Sequence, residues 1–180
     1  MKTNIANIVE VSLIGILSLI CISCSSQENK LQQRQKEIQS YADKINSNPT
    51  MLNKAVSDTL IALYGSYIKD YPKDTMSEFY LFQMHNIYAA MQNCDSALYC
   101  LDKIIKDYPT GKKVGAAYFF KGVVLNDVCL NKQGSILAFE EYIKRYPNNP
   151  HVATARRMIQ LDTMQDPLEI INKENSLRDK

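Results

Sequence analysis

Tryptophan is absent from the 180-residue chain, histidine occurs only twice, and glycine and proline are limited to six each. So little glycine and proline excludes collagen-like repeats and Pro/Gly-rich low-complexity sequence. An excess of one charge is also missing: 21 basic and 19 acidic side chains leave a formal net charge of +2. A general nucleic-acid binder needs a basic field that this balance does not supply, so no nucleic-acid partner is expected. His85 and His151 have no second histidine or Cys-x-x-Cys pair at ligand spacing, and neither metal nor cofactor is expected. G-x-G-x-x-G, P-loop and G-x-S-x-G motifs are lacking, and the carboxylates are spread as on solvated helix faces. The chain is therefore read as non-enzymatic. Long hydrophobic runs are absent too. The longest, from Val11 to Ile22, falls short of the roughly 20 apolar residues that a bilayer-spanning helix requires.

What is present begins with that short run. Lys2 precedes it and the sequence turns polar after Cys24, the pattern of an export signal. The stretch Leu19-Ile20-Cys21-Ile22-Ser23-Cys24 resembles the lipobox of bacterial lipoproteins, in which a small residue precedes the cysteine that is acylated. The resemblance implies lipidation at Cys24 and removal of residues 1–23, with an uncleaved signal anchor or a cut elsewhere as the alternatives. Residues 24–30 then form a polar tether, and residues 31–180 a helical domain. Leu31, Ile38, Ile45 and Leu52 recur every seven residues, but the intervening seam positions Arg34, Tyr41 and Asn48 are polar. This predicts a first helix docked on the domain, with a short oligomerising coil as the alternative.

The strongest internal signal is a repeat. Aligning Tyr71-Pro72, Tyr108-Pro109 and Tyr146-Pro147 superimposes Ile68, Ile105 and Ile143, then Tyr64, Leu101 and Phe139, then Ile61, Leu98 and Ile136. These steps of three and four place the apolar residues on one helix face. Proline ends each helix, because it lacks an N–H and biases the preceding residue away from helical geometry. The helices before these also align, Tyr80-Leu81-Phe82 with Tyr118-Phe119-Phe120, and Asn93 matches Asn131 at the bend. Thr75 with Glu78 fits a capping box, and Asn149-Pro150 fits an N-cap followed by proline at the first helical position. A unit of helix, turn, helix and stop cannot bury its apolar face alone, so it must stack on its neighbours.

Units 75–111 and 113–149 resemble tetratricopeptide repeats. They have an aromatic early in the first helix (Tyr80, Tyr118) and a small residue opening the second (Ala97, Ser135). A large apolar residue follows (Leu101, Phe139), then the closing proline. Gly122 stands where the family favours glycine and Met84 replaces it in the other unit; Ile104 and Tyr142 stand where it favours alanine. The resemblance implies an all-α, right-handed solenoid of antiparallel helix pairs: two clear repeats, a degenerate N-terminal pair in residues 31–72, and a C-terminal capping helix. Asp166, Pro167 and Glu169 signal that cap, and Leu168, Ile170, Ile171 and Leu177 can cover the last face.

The same resemblance puts the first helix of each unit on a concave groove, which makes Gln83, Asn86, Lys121 and Asn126 the candidate contacts to a peptide. With the lipobox, the chain is similar to envelope lipoproteins such as the tetratricopeptide proteins of outer-membrane barrel assembly and of the Tol-Pal system. The implied role is a lipid-anchored scaffold or adaptor for a protein or peptide partner in the bacterial envelope, on the periplasmic or the surface face of the outer membrane. A structural oligomer assembled through the N-terminal helix is the second reading, and a small-molecule carrier or enzyme the third. Cys94, Cys100 and Cys129 remain after processing. Three unpaired thiols are expected, with Cys100 a small core residue; a Cys94–Cys129 bridge between adjacent repeats is the alternative, since both lie near helix bends.

Overall fold

The computed structural model describes residues 28–45, 47 and 53–163. Cys24, the preceding signal and the proposed cap at 166–177 lie outside these residues, as do Asn48, Pro49 and Leu52. Among the described residues there are seven helices and no strand: α1 over residues 28–45, α2 Lys54–Asp70, α3 Thr75–Ala90, α4 Cys94–Asp107, α5 Val114–Asp127, α6 Lys132–Arg145 and α7 Val152–Thr163. The chain divides into two compact units after Leu60, within α2. In the first, α1 begins at residue 28, three residues inside the stretch read as tether. Its seven-residue stripe faces inward in part: Ile38 is buried, and Leu31 and Ile45 are half-buried. Asn53 caps α2, its side-chain oxygen accepting from the Ala55 and Val56 N–H groups at 3.1 and 3.3 Å.

In the second unit consecutive helices pack one on the next, α3 on α4, α4 on α5, α5 on α6 and α6 on α7. This is an all-α helical repeat. Its register comes from two kinds of turn. The first closes each unit: the Tyr71, Tyr108 and Tyr146 N–H groups still bond four residues back, at 2.8, 3.0 and 2.9 Å. Each tyrosine carbonyl then accepts from the residue three ahead (Asp74, Gly111, Asn149) at 3.0, 2.8 and 3.0 Å. Proline at the second position of such a turn has the fixed φ that the geometry requires. Tyr108 and Tyr146 adopt nearly the same backbone, φ −127° with ψ 53° and 54°.

The second kind of turn lies inside each unit. Gln92 and Leu130 take left-handed backbone, φ 57° and 53°. Asn93 and Asn131 follow and cap the next helix, accepting from the Ser96 and Gly134 N–H groups at 3.1 and 2.8 Å. The left-handed residue reverses the chain while its neighbours satisfy the last carbonyls of the preceding helix. The aligned positions predict the repeat core in part: Leu101 and Phe139 are fully buried, with Ala97 and Ile104 on α4 and Ser135 and Tyr142 on α6 also at most 1% exposed, whereas Leu98, Ile105, Ile136 and Ile143 are only half-buried. Burial of each large aliphatic or Phe side chain contributes roughly 1.5–3 kcal/mol. Where the family's small late residue is replaced by Tyr142, the ring is accommodated by an aromatic cluster, 5.4 Å from Phe119 and 5.6 Å from Tyr146.

Three expectations are corrected. The thiols are not all unpaired, because Cys94 and Cys129 are joined, with S–S 2.06 Å and Cα atoms 5.2 Å apart. Stacking sets the bend before α4 beside the bend after α5, an adjacency that linear spacing does not express. Cys100 is free and buried in the core. The capping box is not formed either. Asp74, one residue earlier, is the N-cap of α3 and accepts from the Met76 N–H at 2.7 Å, while Glu78 turns to another segment. Finally, Asn149 accepts from the His151 N–H at 3.0 Å, but α7 starts at Val152, so Pro150 lies in the turn and not at the first helical position.

Candidate interaction surface

The four predicted groove residues do not form one cluster. Gln83 and Asn86, one turn apart on α3, are linked at 3.4 Å. Lys121 on α5 instead reaches back to Asp102 on α4, 2.6 Å away, and Asn126 bonds its neighbour Asp127 at 2.9 Å. What joins the two first helices on this side is aromatic. Phe82 meets Phe120 edge-on at 5.5 Å, and His85 lies 4.4 Å from Phe82 and 5.3 Å from Phe120. His85 is 1% exposed and its Nδ1 bonds the Phe82 carbonyl. Burial pushes the imidazole down to about 4, against a smaller upward pull from that carbonyl. The ring is therefore neutral at physiological pH.

A second surface, built between the first two Tyr-Pro turns, was not anticipated. Glu78 organises it. Its carboxylate is 6% exposed and accepts from the backbone N–H groups of Lys113 and Lys112 at 2.6 and 3.0 Å. A buried carboxylate is tolerable only with such partners, and these two donors hold the loop that leads into α5. Gly111 leaves room for it: a Cβ there would lie 2.2 Å from the Glu78 Oε1 and would displace the carboxylate. The Tyr108 hydroxyl donates to the Pro72 carbonyl at 2.7 Å, tying the second Tyr-Pro turn to the first.

Between these turns the surface opens into a cleft of about 820 Å³. Pro72, Met76, Phe79, Tyr108 and Pro109 supply its apolar wall, and Lys73, Lys112 and Lys113 its cations. The Lys113 ammonium sits over the Phe82 and Phe79 rings, 5.1 and 5.7 Å from their centroids. Smaller depressions lie elsewhere. One of about 480 Å³ includes Gly65, Ile68, Met84 and Tyr99, and one of about 510 Å³ runs between Ile143 on α6 and Ile159 on α7. None of the four predicted groove residues lines any of the three. Among the described residues no three His, Cys, Asp or Glu side chains converge as metal ligands.

Leu81 to Gly111, which comprise most of α3, all of α4 and the second Tyr-Pro turn, match the family model described as a tetratricopeptide repeat. The chain carries a tetratricopeptide repeat. The match covers 81–111, and unit 113–149 repeats its bend, cap and closing turn at a constant offset. No curated protein matches the chain. Neither the role of Glu78 nor the cleft is legible in the sequence. Glu78 fits a local capping pattern, and the cleft joins residues 72–79 to residues 107–113, segments that are distant in sequence. The adjacent lysines after Gly111 are the one linear trace of it.

Proposed function

We propose that this protein is a non-enzymatic scaffold that binds a protein or peptide partner in the bacterial envelope, held to the membrane by lipidation at Cys24. The tetratricopeptide match at residues 81–111 carries the reading, because such repeats usually serve as non-catalytic interaction scaffolds. Two observations support the envelope part. The apolar run Val11–Ile22 ends on Ser23-Cys24. Independently, the Cys94–Cys129 disulfide suits an oxidising compartment, since cytosolic thiols are kept reduced. No helix among the described residues is long and apolar enough to cross a membrane. Outer-membrane assembly or maintenance is the process that the resemblance to envelope lipoproteins favours.

In this reading the aromatic first helices, with Gln83, Asn86, Lys121 and Asn126 beside them, offer donors and acceptors to a bound segment. Affinity capture with the lipidated full chain, compared with Cys24→Ala, tests the proposal. Enrichment of a specific envelope protein by the lipidated chain is expected. Equal enrichment by both forms contradicts the anchor, and enrichment of none contradicts the scaffold.

A further inference from the structure

The cleft between the first two Tyr-Pro turns has an unusual electrostatic composition. Three lysines and three carboxylates line it, but the carboxylates are already committed. Asp74 accepts the Met76 N–H at the start of α3, and Glu78 accepts two N–H groups of the 112–113 loop. Asp107 is paired with Lys103 at 2.5 Å, outside the cleft wall. On the basic side, Lys73 and Lys112 are exposed and carry no ion pair among the described residues. Lys113 is held over Phe79 and Phe82, so its charge stays at the apolar wall. With Asp107 offset by Lys103 and the oxygens of Asp74 and Glu78 taken up by backbone N–H groups, the exposed Lys73 and Lys112 give the apolar floor a cationic rim.

An anionic partner is favoured by that rim and an apolar side chain by that floor, and both must come from one molecule to use the cleft fully. The volume, about 820 Å³, is of the size that takes several side chains. The floor is also pre-formed. Tyr108 is fixed by its bond to Pro72, and the 111–113 loop by Glu78, so little ordering has to accompany binding.

The geometry points to this cleft as a docking site for an acidic peptide segment of a partner protein, with an aromatic or branched apolar side chain between Phe79, Met76 and Tyr108 and acidic residues on Lys73 and Lys112. It deepens the scaffold reading and rests on it.

The test uses the lipidated full chain in detergent and fluorescence anisotropy with a labelled heptapeptide alternating Asp and Phe. Two further peptides replace every Asp by Lys, or every Phe by Ser. The Asp/Phe peptide is expected to bind saturably and the other two are not. Lys73→Glu with Lys112→Glu should weaken binding roughly tenfold or more, by placing like charges opposite the peptide. Lys132→Glu on α6 should leave it unchanged, and equal melting midpoints should exclude unfolding. Equal binding of all three peptides, no saturable binding of the Asp/Phe peptide, or indifference to the double charge reversal overturns the site. Charge-dependent binding to phosphatidylglycerol vesicles without binding to the peptide overturns it in favour of a lipid surface. If the double variant still captures an envelope partner as the native chain does, the cleft fails and the scaffold stands; if the native chain captures none, the scaffold itself fails.

Discussion

Glu78 shows how one side chain can be mistaken for a local device when it acts across a repeat. Sequence offers it as the fourth residue of a capping box; in the structure it clamps the loop before α5 through two charge-assisted hydrogen bonds. Removing it by Glu78→Ala leaves two N–H groups without their acceptor, and a loss of about 2–3 kcal/mol is expected in urea unfolding. Gly111→Ala should be destabilising alone, because its Cβ displaces that carboxylate, yet nearly harmless in the Glu78→Ala background. Additive effects in this double-mutant cycle would contradict the clamp. His85 is a second residue whose role depends on burial. Its folded imidazole is held at about 4 against about 6.5 when unfolded. The unfolded chain therefore binds more protons between those values, and stability falls as pH drops through that window, by up to roughly 3 kcal/mol. Thermal melts from pH 7 to pH 4 should show the decline, and His85→Leu should flatten it.

At the scale of helices, much was legible. The Tyr-Pro register located the ends of α2, α4 and α6, and Asn93 and Asn131 marked both internal bends, because proline and side-chain caps act within a few residues of where they are written. Contacts that depend on stacking were not. The Cys94–Cys129 bond is not legible in the sequence, because spacing alone does not say which bends lie side by side. The glycine that the tetratricopeptide resemblance singled out does acquire a reason. A Cβ at Gly122 would stand 2.7 Å from the Phe139 ring, whereas the equivalent positions of the preceding unit are Met84 and Leu101, a larger residue matched with a smaller one. Gly122→Ala is expected to cost about 1–3 kcal/mol by overpacking. Phe139→Leu should recover part of that loss, and chemical denaturation of the two single variants and the double measures it. Absence of any recovery would mean that the two positions do not share one volume.

The proposed role joins a tetratricopeptide repeat to an export signal, and it needs both. A repeat presents a surface but does not say where; the lipobox-like Ser23-Cys24 proposes a membrane, and the disulfide proposes an oxidising side of it. A bridge closing a loop of this length stabilises a fold by about 2–4 kcal/mol, provided that the compartment lets it form. The central claim is thus a repeat scaffold exported, oxidised and tethered through Cys24. It is tested most directly by the intact mass of the full-length gene product, isolated from bacterial membranes without reduction and alkylated before analysis. The account predicts a chain that starts at Cys24, carries acyl groups there, and takes up alkylating reagent only at Cys100 once unfolded. A chain that retains residues 1–23, lacks acyl mass, or reacts at Cys94 and Cys129 would contradict it.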